Sequence, residues 1–255
     1  MSAETTTASA ALERSRTSYS AAVGRLAAAQ KSGAGVPAYL RWVNRGLGRR
    51  AAAAAYVVKL TPNRLTALSA VLSLIALAVI AFVPVSLGWA LTAMVLLLAG
   101  YALDSADGQL ARLTGTGSVA GEWLDHVVDA ARLPLFHLAV AVHVFREEGP
   151  LWLVGVALLF MLLASVWFFA QTLAEKLSVV APTAENSPPW VSFVKLPWDV
   201  GLLYLIVAFI ALPPVFSVVY SALFAITALV ALLSLRRKYR GLMAAAVRAS
   251  SSVRG

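Results

Sequence analysis

From about residue 65 the apolar positions stop alternating with polar ones and run on as long blocks. Six such blocks are separable: 65–83, 88–107, 118–145, 151–174, 198–213 and 215–235. A helix needs roughly 17–25 residues to cross the hydrocarbon core of a bilayer, and five of the blocks reach that length comfortably. The fifth is short and bounded by Pro197, Pro213 and Pro214. Upstream, over residues 37–60, the pattern changes. Tyr39, Leu40, Trp42, Val43 and Leu47 interleave with Arg41, Arg45, Arg49 and Arg50, which predicts an amphipathic helix lying in the membrane interface. Residues 1–36 are rich in Ala, Ser and Thr with no sustained period, and read as a disordered tail without the apolar core of a signal peptide. Residues 236–255 read as a basic tail. The predicted fold is an all-α membrane protein: six transmembrane helices over 61–235, preceded by the juxtamembrane helix.

Composition agrees, with 60% hydrophobic and 13% charged residues against about 25% charged in soluble domains. There is no cysteine, which excludes thiolate chemistry and cysteine-held metals. The net charge of +9 raises nucleic acid as a partner, but its placement argues against it. Ten of the basic residues precede Leu65, six follow Leu235, and five remain for the apolar middle. Loading of the flanks predicts a multi-pass protein of the cell membrane with both ends in the cytoplasm, beside anionic lipid.

The acids are distributed the other way. Five of the twelve lie between positions 104 and 129, where an aspartate at mid-membrane depth costs about 2.5–3.5 kcal/mol. Asp104 and Asp107 share a helix face. Glu122, Asp125, His126 and Asp129 form a stripe on the next helix, at offsets of three, four and seven. The turn between them carries Gly115 and Gly117, and would fold the two faces together. Like charges about 4 Å apart repel by ~4 kcal/mol at an effective dielectric of 20, so converging carboxylates need cations. Hard divalent ions with oxygen ligands, Mg²⁺ foremost, suit such a set. Gly108, Ala111 and Gly121 leave room for a ligand or a close helix, and Arg112 is placed for an anionic phosphate.

Asp104-x-x-Asp107-Gly108-x-x-Ala111-Arg112, eight residues, then Gly121-x-x-x-Asp125-x-x-x-Asp129 resembles the full signature of the CDP-alcohol phosphotransferase (phosphatidyltransferase) family. The Pro62-Asn63-x-x-Thr66 turn before the first block is similar to one found in that family. The resemblance implies a six-helix membrane enzyme, usually a homodimer, whose active site faces the cytoplasm. It implies two metal ions, Mg²⁺ or Mn²⁺, held by Asp104, Asp107, Asp125 and Asp129. The CDP moiety would rest on Gly108, Ala111, Arg112 and Gly121, with Asn63 near the ligand. The reaction implied is transfer of a substituted phosphate from a CDP-alcohol to an acceptor hydroxyl with release of CMP, one substrate being a lipid. Asp129 is the base that the resemblance suggests. His126, with Glu122 a turn earlier, is an alternative, since imidazole changes charge near neutral pH.

Several residues have plainer readings. Glu122 equally suits the first turn of a helix, where an acid complements the macrodipole. Arg132 reads as an ion pair with Asp129 or as a substrate contact. Lys195 and Asp199 read as an interfacial pair, His137 and His143 as packing residues. A cation transporter would also place acids in the membrane, but leaves Gly108, Ala111, Arg112 and Gly121 unexplained. Within the family, the run Gly121-Glu122-Trp123-Leu124-Asp125-His126 resembles choline and ethanolamine phosphotransferases, which favours a water-soluble CDP-alcohol and a lipid acceptor. The alternative is a CDP-diacylglycerol donor with a polyol or polyol phosphate acceptor, for which Arg132, Arg64 and Lys195 would supply positive charge.

Overall fold

The computed structural model describes residues 18–30, 32–177 and 188–252, with side chains as far as 244. Every described element is helical. α1 covers residues 18–28, and α2 is Arg45–Val57, entered through a π-helical turn at Leu40–Asn44. The long apolar helices follow: α3 Pro62–Phe82, α4 Leu87–Thr114, α5 Val119–Arg146 and α6 Leu151–Leu177. α7 is the short Trp190–Val194. α8, Val200–Leu205, continues as a 3₁₀ helix over Ile206–Ala211, and α9 runs Pro213–Ser252.

Local chemistry accounts for the boundaries. α3 begins with Pro62 at its first position after extended Thr61, where proline's fixed φ and missing N–H cost nothing. Ser86 caps α4 by accepting the Trp89 N–H, and Ser118 caps α5 by accepting that of Gly121. α4 stops at Gly115, whose φ of 66° is the left-handed region that glycine enters freely. Thr116 N–H then closes on the Ala111 carbonyl. The chain therefore reverses in four residues, and α5 starts beside the end of α4.

Five helices among the described residues are long and apolar enough to cross a membrane: Pro62–Phe82, Leu87–Thr114, Val119–Arg146, Leu151–Leu177 and Pro213–Ala244. The expected fifth span at 198–213 differs. It is the shorter apolar stretch Val200–Ala211, about 18–24 Å at 1.5–2.0 Å per residue against ~30 Å of hydrocarbon. Asp199 starts it late, accepting the N–H groups of Gly201 and Leu40, and Pro213 begins the next helix at once. The anticipated Lys195–Asp199 pair is not made: Lys195 Nζ instead donates to the Gly35 carbonyl at 2.8 Å.

α3 packs against α4 and α5, α5 against α6, and α9 against α6 and the 3₁₀ stretch, which also lies along α4. The main core includes Leu77, Leu97, Phe136, Val140, Tyr204, Val207 and Tyr220. His137, buried as expected for a packing residue, stacks on Phe160 and shares a 2.7 Å hydrogen bond with the Tyr220 hydroxyl. A second cluster joins Ala22 and Leu26 of α1 and Ala52, Ala53 and Ala55 of α2 to Leu65, Ala106 and Leu110. Three expectations change here. Residues 18–28 are helical, not disordered, because Ala22 and Leu26, one turn apart, find an apolar floor that the sequence pattern alone did not supply. The predicted amphipathic helix is present over residues 38–57 but is seated on α4, with the buried Asn44 donating to the Tyr101 carbonyl. The predicted tail at 236–255 is helical through Ser252 as the end of α9.

Candidate active site

Because α3 and α5 start, and α4 ends, at the same end of the bundle, three helix termini surround one cleft of about 240 Å³. α3 contributes Pro62, Asn63 and Thr66, and α4 contributes Asp107, Gly108, Ala111 and Arg112. The turn adds Thr116, Gly117 and Ser118, and α5 adds Gly121, Glu122 and Asp125. At Gly121 a Cβ would come within 3.2 Å of Asn63 Oδ1, so the bare backbone there keeps the cleft open between α3 and α5.

Carboxylate oxygens of Asp104, Asp107 and Asp125 lie within 4.8 Å of one another. The helix offsets read from the sequence thus deliver two acids from α4 and one from α5 to a common point. Asp107 is buried, and both its oxygens are engaged on one side: Thr66 Oγ1 donates to Oδ2 and the Gly108 N–H to Oδ1. These neutral donors orient the carboxylate without adding a charge of their own. A carboxylate has about four lone-pair positions, so each aspartate keeps capacity for a further partner. Three converging oxygen donors in a half-buried cleft suit a hard divalent cation.

Asp129 stands one turn deeper and is not part of this group of three. Its Oδ1 is 3.3 Å from Arg132 Nη1, while Arg132 Nη2 reaches Asp104 Oδ1 at 2.8 Å and Ser69 Oγ at 2.9 Å. Arg132 is 5% exposed, so it is a buried cation stitched to α3, α4 and its own helix. Of the two readings of Arg132, the ion pair is the one seen, extended to an aspartate 28 positions away that no local spacing could indicate. Glu122 faces the cleft rim and accepts from Lys176 of α6 at 2.8 Å. His126 Nε2 is 3.8 Å from Glu122 Oε1, but His126 is not among the residues lining the cleft and its ring meets Phe168 of α6 edge-on.

Thr66, Ser69 and Tyr204 are the residues that sequence reasoning passed over. Thr66 was visible only as part of the helix-start turn. Ser69 lies one helical turn further on, a spacing that places both on one face of α3. The fully buried Tyr204 has its hydroxyl in no hydrogen bond with the described residues, and no sequence signal marks it.

The family model for CDP-alcohol phosphatidyltransferases matches residues 59–245. Among curated proteins, none matches the chain.

Proposed function

The chain belongs to the CDP-alcohol phosphatidyltransferase family, and from that premise we propose that it transfers a substituted phosphate group from a CDP-alcohol to an acceptor hydroxyl, releasing CMP, in a metal-dependent reaction of lipid synthesis. The observation that carries the reading is the convergence of Asp104, Asp107 and Asp125 within 4.8 Å, beside a cleft lined by Gly108, Ala111, Arg112 and Gly121. In this reading Asp104, Asp107, Asp125 and Asp129 hold Mg²⁺ or Mn²⁺, two ions in all. Such ions neutralise a pyrophosphate and stabilise charge on the departing nucleotide.

The remaining work falls to the chain's own side chains. Gly108 and Ala111 let the nucleotide lie close to α4, with Asn63 opposite. Arg112 offers a planar fork of donors to a phosphate. Arg132 bridges Asp104 and Asp129 as a fixed buried cation and orients both carboxylates. Asp129, or the Glu122–His126 pair, takes the proton of the attacking hydroxyl.

For the substrates, we read a water-soluble CDP-alcohol as donor and a lipid as acceptor. The supporting observation concerns cations: two of the three that could supply positive charge to a phosphorylated polyol acceptor have other partners. Arg132 is held by Asp104, Asp129 and Ser69, and Lys195 by Gly35.

The test is CMP release by purified protein in lipid, with Mg²⁺ or Mn²⁺, over CDP-choline, CDP-ethanolamine, CDP-inositol and CDP-diacylglycerol, each with several acceptors. Release from a soluble CDP-alcohol with a diacylglycerol-type acceptor is expected. Release from CDP-diacylglycerol alone overturns the donor assignment, and release from none of them overturns the activity.

A further inference from the structure

A second cleft, of about 300 Å³, lies outside the catalytic one. Its walls are Gln30 and Gly33 on one side and Arg41, Trp42, Arg45 and Arg49 on the other. The three arginines follow at intervals of four, so they form one stripe along the helix that precedes the first membrane span. No acidic residue is among the described residues lining the cleft. Like charges at this spacing repel each other on a helix, and this structure brings a fourth cation close: burial first, then Arg112 and, more weakly, Arg41 pull the Arg45 guanidinium below its ordinary range, with Tyr101 opposing them.

The stripe is ordered rather than loose. Arg41 Nη1 donates to Ser192 Oγ at 3.1 Å, and its guanidinium lies 5.0 Å from the centre of the Trp42 ring. Arg45 Nη1 donates to the Ser32 carbonyl at 3.1 Å. Arg49 keeps its Nε–H buried with no acceptor among the described residues. Arginine forks held in fixed places around a cavity match the oxygens of a phosphate group bidentately. The cleft also adjoins the catalytic one, since Gln109, next to Gly108, accepts from Gln30 at 2.8 Å and donates to the Arg45 carbonyl at 3.3 Å.

We propose that the Arg41–Arg45–Arg49 cleft is a second anion site, which holds the phosphate of an anionic lipid headgroup or of a free phosphate compound beside the catalytic cleft. The assignment is independent of the reaction catalysed, and its readout is binding.

The test uses the full chain, purified in detergent or placed in phosphatidylcholine nanodiscs with or without phosphatidylglycerol. Two probes are applied: inorganic phosphate, followed by the rise in unfolding temperature, and phosphatidylglycerol, followed by its retention in mass spectra of the intact protein. Binding of either probe is expected, weakened at least about tenfold in Arg45→Gln and Arg49→Gln, as loss of a charge-assisted contact requires. Arg50→Gln removes the same charge from an exposed position on the same helix and should leave binding unchanged. Arg49→Lys, a milder change, should fall between if the fork matters. A response to inorganic phosphate identifies a free phosphate ligand, and a response to phosphatidylglycerol alone identifies a lipid headgroup. Absence of both, or an Arg50→Gln loss equal to that of Arg45→Gln, overturns the site.

Discussion

Thr66 is an uncharged side chain with a hold on the charged centre. Its hydroxyl donates to Asp107, the buried member of the three converging carboxylates, and so sets which lone pairs remain for a cation. Removal of such an outer partner typically costs 10–100-fold in metal affinity. Thr66→Val, nearly isosteric, should therefore raise the Mg²⁺ concentration for half-maximal CMP release by about that factor with little change in unfolding temperature. An unchanged Mg²⁺ titration would show that Asp107 is oriented without it. The aspartates themselves should be less forgiving. Asp104→Asn, Asp107→Asn and Asp125→Asn should each lower turnover at least about 10²-fold, the scale of ~3–4 kcal/mol of electrostatic stabilisation. EDTA should abolish turnover and added Mg²⁺ or Mn²⁺ restore it. Full turnover in EDTA would remove the metal from the reaction.

At the scale of elements, the short segment Val200–Ala211 is held by contacts at its start rather than by its length. Asp199 caps it and accepts from the Leu40 N–H, while Gly201 faces the Tyr39 ring so closely that a Cβ would overlap it. That ring in turn stacks on Tyr101 of α4, with centroids 6.4 Å apart. Gly201→Ala must displace Tyr39 or the helix, a form of overpacking that costs about 1–3 kcal/mol. The expected result is a clear fall in unfolding temperature, and an undiminished one would mean that the segment is seated more loosely than the contacts indicate. The cap explains why the apolar block of the sequence begins α-helix only at residue 200: Asp199 is extended, with ψ of 126°, and a helix cannot run through it.

For the whole molecule, the arrangement gathers the carboxylates, Arg112 and the arginine cleft at one end of the bundle, where α3 and α5 begin and α4 ends. By the flanking charges we propose that this end faces the cytoplasm. The absence of native cysteine makes the orientation directly testable. A membrane-impermeant thiol reagent added to intact cells should label Glu148→Cys, in the turn between α5 and α6, and should spare Ser20→Cys and Tyr239→Cys until the membrane is permeabilised. Labelling of Ser20→Cys in intact cells would reverse the topology.

What could be read from the chain alone was whatever depends on near neighbours in sequence. Offsets of three and four put Asp104 with Asp107, and Glu122 with Asp125 and Asp129, on shared faces, and Gly115 marked the turn that folds those faces together. Runs of apolar residues marked the long helices, because crossing hydrocarbon demands length and composition that little else does. The family followed from the same local spacing. Only the tertiary structure decided which distant groups share a partner. Arg132 belongs to Asp104 as much as to Asp129 because α4 and α5 both pack on α3, whose Ser69 shares the same guanidinium. Lys195 turns to Gly35 instead of Asp199 because Asp199 is taken up by backbone N–H groups. Residues 18–28 form a helix because α2, α3 and α4 together offer Ala22 and Leu26 an apolar seat. The physical reason is common to all three: a periodic pattern states which side of a helix a residue occupies, while the element facing that side is chosen by how the helices pack.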